Sequence, residues 1–477
     1  MRLAWFSPMP PVPSGVAACS AALVAALGDD HHIDVYVDEP VVRLAPGTRS
    51  AHEFVWRHRL DPYDLTVYQL GNSSHHDFLW PYLFRYPGLT VLHDAHLHHA
   101  RAAALLRTRR ADDYRAEFAW NHPAAGADLA ELAVAGFDNH LYYAWPMTRL
   151  VVEASRLAVV HTPALAAALS EDLPHARIEA IRLGHGEPVS SARARAARTK
   201  VRTGRGIPES AILFGVFGGL TPEKRIPQVL DALAAVIPYA PDAHLLLAGA
   251  TADHYDPLTD IRRRGLGPRV TITGYLETDD ELTEAVAACD VSLNLRWPTA
   301  REVSGPWLRA LAAGLPTVII DLAHLADVPS LDPRTWTLRP GSGRRDSPAV
   351  ACRGEHERQA MARPRRSAVS TGRAEAGDPE PVTVAIDILD EAHSLRLAMR
   401  RLASDGALRA ELGAAGRRYW EAGHSMPRMV EDYRRMLVTA AALPAPEVMR
   451  PAHLVTNGDR VVRRVLEHFG LTDVWSG

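Results

Sequence analysis

The sequence contains few cysteines and no long apolar run. Its three cysteines, Cys19, Cys289 and Cys352, lie far apart in 477 residues. A small, odd and scattered set excludes a disulfide framework and a paired-cysteine metal site, and it is typical of a reducing compartment. No window approaches the roughly 20 apolar residues of a membrane helix, and the first apolar run is too short for a signal peptide. We expect a cytoplasmic protein, for which peripheral contact with a membrane stays open.

An excess of charge of one sign is also absent. The 53 Lys and Arg residues nearly balance 56 Asp and Glu residues, which gives a formal net charge of -3. Such a balance provides no general attraction to nucleic acid or to an anionic membrane, so we expect no nucleic-acid partner. Apolar residues make up 47% and charged residues 23% of the chain, as in globular proteins. The length exceeds one compact core and predicts two domains.

One theme recurs along the chain: an apolar run, a turn and then a helical pattern. Runs that end in small, polar or ionisable residues and alternate with helices predict an α/β fold with parallel, doubly wound sheets. The theme occupies residues 1–190, stops at an arginine-rich stretch at 191–207 that we interpret as a solvated linker, and restarts over 208–425. Helices and a tail at 426–477 complete the predicted organisation.

Residues 341–381 have no apolar periodicity and mix Arg, Ser, Gly, Ala and Pro. This composition predicts a disordered or loosely ordered insertion in the second domain. An RNA-binding arm is the alternative interpretation, but acidic residues are interspersed with the arginines, and charge runs are usually solvated.

A phosphate-binding turn is predicted where the stretch "AILFGVFGGLTPEKRIPQVLDALAAV" passes from a strand to a helix. Gly218 and Gly219 would let a ligand approach the backbone, and the following helix would present unpaired N–H groups. Lys224 adds a mobile positive charge that suits phosphate. A tight turn beside a surface lysine explains the pattern equally well.

A second strand-to-helix turn lies near the N-terminus, in "PMPPVPSGVAACS". Ser14 is predicted to cap the helix, and Gly15 leaves its first turn free of a side chain. A phosphate could be held between this helix start and the turn at Gly218, one from each domain. The alternative is a capped helix whose glycine allows close packing.

The run "LTVLHDAHLHH" raises the question of a metal site, because it holds His93, Asp94, His96, His98 and His99. Histidines at i, i+3 and i+6 drift around a helix, and no acidic fourth ligand stands at metal spacing, so zinc is disfavoured. His93 directly follows an apolar strand and would point into a cleft between the domains. There it could contact a substrate hydroxyl or a leaving oxygen. The alternative is a packed core histidine.

The loop after "CDVSLNLR" contains Glu302, Val303, Ser304 and Gly305 ahead of a short helix. Ser304 could cap that helix, and the neighbouring N–H groups could bind hydroxyls or phosphate. Glu302 would accept hydrogen bonds from sugar hydroxyls. Taken alone, Glu302 could equally be a surface carboxylate.

Four stretches together resemble family 4 glycosyltransferases of the GT-B fold: "PPVPSGVA", "VLHDAHLHH", "FGGLTPEKRIPQVLDAL" and "REVSGPWLRALAAGLPTV". The resemblance implies two Rossmann-like domains facing a cleft, with C-terminal helices that cross back to the first domain. It also implies a retaining, metal-independent transfer of a sugar from a nucleotide-diphosphate sugar, with no cofactor, as in bacterial polysaccharide or glycoconjugate biosynthesis. The acceptor would be a carbohydrate, a lipid-linked molecule or a small molecule.

The same resemblance implies roles for the residues named above. Gly15, Gly218, Gly219 and Lys224 would hold the donor diphosphate, His93 would lie beside the reacting sugar with Asp94 next to it, and the loop from Glu302 through Val303 and Ser304 to Gly305 would grip sugar hydroxyls. His93 and Glu302 are thus the candidate catalytic residues. No Asp-x-Asp metal motif stands at a strand end, in agreement with positive side chains and helix termini in place of a cation.

Two departures from the family pattern concern the donor. Many members carry an arginine where Gly219 stands, so Arg225, Arg296 or Arg301 would have to replace one diphosphate contact. Many also carry a second glutamate where Arg309 stands, and an arginine cannot accept hydrogen bonds from ribose hydroxyls. A GT-B protein that binds nucleotide-sugars without turnover, or one with another reaction such as epimerisation, is therefore an alternative. An oxidoreductase is disfavoured because no Gly-x-Gly-x-x-Gly follows a strand.

Overall fold

The computed structural model describes residues 1–38, 47–137, 141–340, 379–455 and 465–470. The predicted insertion at 341–381 lies outside these residues apart from its last three positions. Within the described ranges, no helix is long and apolar enough to cross a membrane.

The described strands each span two to six residues. They are β1 Arg2–Phe6, β2 His32–Val37, β3 Thr48–Ser50, β4 Leu65–Leu70, β5 Leu89–Leu92, β6 Leu157–Val160, β7 Ile178–Ala180, β8 Leu213–Phe217, β9 His244–Ala248, β10 Val270–Ile272, β11 Val291–Asn294, β12 Thr317–Ile320, β13 Ser330–Leu331 and β14 Thr383–Ile386.

Helices separate most of these strands. They are α1 Gly15–Leu27, α2 Phe54–Leu60, α3 Trp80–Arg85, α4 His98–Arg107, α5 Ala111–Asn121, α6 Ala127–Val134, α7 Leu141–Ala144, α8 Arg149–Ala154, α9 Pro163–Asp172, α10 Ser191–Gly204, α11 Ile226–Val236, α12 Pro257–Arg263, α13 Asp279–Ala287, α14 Gly305–Ala312, α15 Glu391–Ser404, α16 Gly406–Gly423, α17 Met426–Ala442 and α18 Ala452–Val455.

The chain forms two compact units. The first unit comprises Met1–His185, Pro298–Gly305 and Gly423–Gly477, and the second comprises Gly186–Trp297 and Pro306–Ala422. The loop that carries Glu302 therefore belongs to the first unit, although both flanking segments belong to the second.

The sheet of the first unit has the strand order β3-β2-β1-β4-β5-β6-β7, and its neighbouring strands are parallel. All six residues of β4, "LTVYQL", are buried, as expected for an inner strand with helices on both faces. The order reverses between β1 and β4, and ligands of doubly wound sheets bind beyond the strand ends at such a reversal. The turns that follow these two strands begin at Ser7 and Gly71.

The sheet of the second unit has the order β10-β9-β8-β11-β12-β14-β13, again with parallel neighbours. Its apolar core includes Val216, Leu230, Leu245 and Val384. The order reverses between β8 and β11, so the turn that begins at Gly218 and the loop that follows Asn294 flank the reversal. The two predicted parallel, doubly wound sheets are confirmed.

The stretch 191–207, predicted to be a solvated linker, forms α10 instead. Ser190 caps this helix by accepting from Arg193 N at 3.2 Å. Arg202 is buried and its guanidinium is satisfied by Asp290 Oδ2 at 2.8 Å and by backbone carbonyls that include Ala211 O at 2.8 Å. Most residues of the stretch are exposed, as predicted, but the helix belongs to the second unit, and Arg202 is buried because that unit supplies partners for its charge.

The C-terminal helix α17 packs within the first unit. Asp432 of α17 accepts from Arg182 Nε and Nη2, each at 2.7 Å, and the ring of Tyr433 stacks on Trp5 with centroids 5.8 Å apart. Residues from the end of the chain thereby contact β1 and the strands beside it.

Candidate active site

The turn after β8 is built around Lys224. Gly218 has φ of +82°, a conformation that favours glycine, and a Cβ on it would lie 3.2 Å from Lys224 Nζ. Nζ donates a hydrogen bond to the carbonyl of Phe217, the last residue of β8. A Cβ on Gly219 would meet no atom within 4 Å. The half-buried ammonium group therefore lies over the end of the strand, beside a backbone with open space in front of it.

Arg225, a candidate for the missing diphosphate contact, is already engaged. It is the N-cap residue directly before α11, with φ of 58°, and its Nε and Nη2 lie 2.7 and 2.5 Å from the two carboxylate oxygens of Glu391. Such a two-pronged pair holds the guanidinium in one orientation. Arg225 thus stabilises the start of α11 within the second unit.

Arg296, in the loop after β11, lies near the same turn. Trp297 N donates to Glu223 O at 2.8 Å. Burial acts to raise the pKa of Glu223, but a hydrogen bond from Thr221 and the charge of Arg296 outweigh it, and the pKa is lowered. A positive group from each of the two loops that flank the strand-order reversal, Arg296 and Lys224, is therefore present in the second unit.

The loop Pro298–Gly305 is fixed to the first unit through its backbone. Ala300 O accepts from Ala95 N at 2.9 Å and from His96 N at 3.0 Å. Thr299 Oγ1 donates to Glu302 Oε2 at 2.9 Å and accepts from Arg301 N at 3.0 Å. The carboxylate of Glu302 is thus oriented by its own loop, which is in turn bonded to the turn that follows His93.

Arg301 has a left-handed backbone with φ of 58°. Within the described part of the chain, its guanidinium makes no hydrogen bond or ion pair. Val303 and Ser304 are partly buried, and α14 starts directly after Ser304, at Gly305, as predicted. A Cβ on Gly305 would lie 3.1 Å from the ring of His185, so a larger residue would crowd the start of this helix.

Arg309 is bound to α13. It is 5% exposed; Nη1 lies 2.8 Å from Asp279 Oδ2 and from Thr283 Oγ1, and Nη2 lies 2.6 Å from Asp279 Oδ1. The arginine that stands at the position of a family glutamate therefore joins two helices of the second unit.

In the first unit, Ser14 caps α1 as predicted, by accepting from Val16 N at 3.2 Å. A Cβ on Gly15 would meet nothing within 4 Å. The glycine is therefore not required for packing against a described residue, and the first turn of the helix has an open side.

Both ring nitrogens of His93 have partners in the first unit. Nε2 lies 2.8 Å from Gln69 Oε1, and Nδ1 lies 3.2 Å from His161 Nε2. Because an amide oxygen only accepts, Nε2 of His93 carries the proton and Nδ1 accepts from His161. Burial, reinforced by His161 and His76, holds the pKa of His93 well below its ordinary value. The imidazole is neutral and fixed in one tautomer.

Asp94, His98 and His99 of "HDAHLHH" have partners other than His93. Asp94 Oδ2 accepts from Asn72 N at 2.7 Å, His98 Nε2 lies 2.8 Å from Tyr114 Oη, and His99 Nδ1 lies 3.4 Å from Asn72 Nδ2. Across the described ranges, no group of three or more His, Cys, Asp or Glu side chains is placed to hold a metal ion.

Sequence reasoning missed the side chains that orient His93. Gln69 accepts from His93 and also from Tyr433 Oη at 3.2 Å, so a residue of α17 supports the same amide. The one local signal was a glutamine inside the buried run "LTVYQL", since a buried amide needs partners. His161 and Tyr433 carry no such signal.

These features define an α/β protein of the GT-B class, as predicted. Residues 211–340 match the family model Glycosyl transferases group 1, so this segment is a glycosyltransferase domain. A search of curated proteins gave no match.

Solved glycosyltransferase structures share the fold. Sucrose-phosphate synthase of Thermosynechococcus elongatus superposes with a TM-score of 0.56 at 16% identity and covers 92% of this chain and 100% of its own. Anabaena HepE in complex with UDP-glucose gives 0.55 at 14% identity with 92% and 100% coverage. WaaG, a glycosyltransferase involved in lipopolysaccharide biosynthesis, gives 0.52 at 13% identity with 92% and 99% coverage.

Proposed function

We propose that the protein is a retaining, metal-independent glycosyltransferase that moves a sugar from a nucleoside-diphosphate sugar to an acceptor hydroxyl in the cytoplasm. The observation that carries the proposal is the position of Lys224 over Gly218, at the strand-order reversal of a segment that matches a glycosyltransferase family. The binding of UDP-glucose by HepE, a protein of the same fold, supports a nucleotide-sugar donor. The acceptor class is a carbohydrate, a lipid-linked molecule or a small molecule.

The second unit would bind the diphosphate of the donor. Its backbone at Gly218 and Gly219 leaves room for phosphate oxygens, and Lys224 would neutralise the charge that grows on the leaving nucleotide. Arg225 is held by Glu391 and Arg309 by Asp279, so neither is assigned to the diphosphate. Arg296, in the loop on the other side of the strand-order reversal, would add a second positive charge. A preorganised set of positive groups does in this proposal what a divalent cation would do, so no metal is required.

The first unit would contact the sugar and the acceptor. Glu302, held by Thr299, can accept hydrogen bonds from sugar hydroxyls, with Val303, Ser304 and Gly305 completing the loop. His93 is neutral and oriented; a substrate hydroxyl would replace its bond to Gln69 or to His161. Its role is a hydrogen bond to the sugar or to the developing charge, and proton removal is not required.

A non-catalytic nucleotide-sugar-binding protein is the second candidate. Arg309 favours this candidate, because it places a guanidinium where many family members have a glutamate carboxylate. That guanidinium is already paired with Asp279. The two candidates predict the same binding of nucleotide and differ in turnover.

The test combines binding with turnover. The melting temperature of the protein is measured in the presence of UDP, GDP, ADP and the corresponding nucleotide-sugars. Release of nucleoside diphosphate from the donor that stabilises the protein is then followed, with and without a chelator. Transfer that survives chelation and retains the anomeric configuration in the product supports the proposal. Stabilisation without release under any acceptor would favour the binding protein, and no stabilisation by any nucleotide would count against both candidates.

A further inference from the structure

A cavity of about 610 Å³ lies in the first unit, and none of its lining residues is assigned above to sugar transfer. It is formed by the short helix Ser74–Leu79 together with α3, the C-terminal half of α4 and α18. Four arginines line it, Arg85, Arg101, Arg107 and Arg110, against the single lining carboxylate of Asp77. Its volume falls within the range of about 300–1,000 Å³ that is usual for small-molecule sites.

The inner wall of this cavity is a buried and fully paired cluster. Arg101 is 5% exposed, stacks over Trp80 at 4.3 Å from the ring centroid, and donates from Nε to Glu117 Oε2 at 2.6 Å. His453 Nε2 lies 2.7 Å from the other oxygen of Glu117. Burial acts to raise the pKa of Glu117, but the bonds from Arg101 and His453 outweigh it and the pKa is lowered. The wall is thus rigid, and its charges are compensated.

Two lining groups are not compensated. Arg107 is exposed at the end of α4 and makes no hydrogen bond or ion pair with a described residue. Asp77 Oδ1 is buried and has no hydrogen-bond partner in the described ranges. Burial raises the pKa of Asp77 to about 6 even though Arg101 and Arg107 act to lower it. A buried acceptor oxygen without a hydrogen-bond donor and a guanidinium without a hydrogen-bonded anion therefore share one cavity.

We propose that this cavity binds a soluble phosphate monoester that also carries hydroxyl groups. The guanidinium of Arg107 matches the geometry and charge of a phosphate, with Arg85 as the second lining cation. A ligand hydroxyl would donate to the unpartnered oxygen of Asp77 and remove the cost of leaving it unbonded. The rigid wall of Arg101 and Trp80 would set the depth of the site. The proposal does not depend on the transfer reaction.

The test measures binding of glycerol 3-phosphate and of inorganic phosphate to the full chain by calorimetry. We expect saturable binding of glycerol 3-phosphate that is tighter than that of inorganic phosphate, because only the former has hydroxyls outside its phosphate group, which can donate to Asp77 while the phosphate is bound by Arg107. Arg107→Ala should weaken it about tenfold, as for the loss of one charge-assisted hydrogen bond. Asp77→Ala should remove the preference over inorganic phosphate. Arg59→Ala, which removes an exposed arginine of α2 outside the cavity, is the matched control.

Several outcomes would overturn the assignment. These are absent binding of glycerol 3-phosphate at millimolar concentration, equal binding by the Arg107 variant and the parent, or an equal loss in the Arg59 control. Sedimentation with vesicles of phosphatidic acid gives the last arm. Binding to vesicles that requires Arg107, in place of binding to the soluble probe, would assign the cavity to a lipid headgroup and refute the soluble ligand. Melting curves of each variant identify loss of folding, for which Arg107→Lys provides a second variant.

Discussion

Acid should destabilise the first unit well above the pH at which carboxylates titrate. Burial lowers the pKa of His76, His161 and His424 to about 4 and that of His98 to about 3. In the unfolded chain these histidines titrate near 6.5. Between pH 6.5 and 4 the unfolded state therefore binds more protons than the native state. The stability that these four neutral histidines contribute is complete above pH 6.5 and is lost as the pH falls.

The size of the effect follows from the same values. Each histidine removes about 1.4 kcal/mol per pH unit, or about 2 kcal/mol at pH 5. Four histidines together remove at most about 8 kcal/mol at that pH. Asp77 acts in the opposite direction, because its raised pKa of about 6 favours the native state by about 1.4 kcal/mol at pH 5. The net loss of about 6 to 7 kcal/mol is comparable with the total stability of an ordinary domain, roughly 5–15 kcal/mol.

Urea unfolding at pH 7.5 and at pH 5, read by hydrogen exchange in peptides of the first unit, measures this loss. His76→Asn isolates one site, because the Asn amide can still donate to Gln69 O, which His76 Nδ1 contacts at 2.9 Å, and does not titrate. The variant should lose about 2 kcal/mol less than the parent between the two pH values. His175→Asn, an exposed substitution, should behave like the parent. Equal stability of the parent at both pH values would refute the reasoning, as would an identical loss in His76→Asn.

The remaining predictions concern sugar transfer and the insertion. Lys224→Ala should lower kcat as well as raise KM for the donor, by ~10²-fold or more in kcat/KM, whereas Lys200→Ala should have no effect; parent-like turnover would make Lys224 a turn residue only. Glu302→Gln keeps the shape of the side chain and its neighbour Thr299, and it should weaken binding of nucleotide-sugar by roughly 1.5–3 kcal/mol more than binding of free nucleotide; equal losses would contradict the role. His93→Ala should lower kcat by ~10²-fold or more with nucleotide affinity nearly unchanged, measured beside Gln69→Ala as a control for loss of the buried network; near-normal turnover would leave a packing histidine. Deleting 344–379 should leave folding and donor binding nearly intact, because the segment lacks the apolar content of a core, and a large fall in melting temperature would refute this.

Local patterns predicted the fold because they report on burial. A buried parallel strand requires an apolar run such as "LTVYQL", and the turn after such a strand requires small residues such as the glycines after Phe217. Both requirements are independent of residues far away in the chain. The start of α1 behind Ser14 follows in the same way from a local cap. These features need only the neighbouring residues, so the sequence contains them.

Long-range pairing accounts for what could not be predicted. The orientation of His93 depends on His161 and, through Gln69, on Tyr433, which lies 364 residues from Gln69. Arg309 and Arg202 look like solvated charges until the structure brings Asp279 and Asp290 beside them. Neither residue of such a pair disturbs the hydrophobic periodicity of its own segment. The sequence pattern therefore does not reveal that the two residues pair.

Because of the position of Lys224, chemical labelling of lysines can report on occupancy of the candidate donor turn. Lys224 and Lys200 are the two lysines of the sequence. Lys224 Nζ is bonded to the end of β8, whereas the side chain of Lys200 is 68% exposed and pairs with Glu284 at 2.6 Å. An amine acylating reagent, read by mass spectrometry, therefore marks one lysine inside the candidate donor turn and one outside it. The ratio of the two labels measures occupancy of that turn in the unmodified chain, with Lys200 as the internal standard.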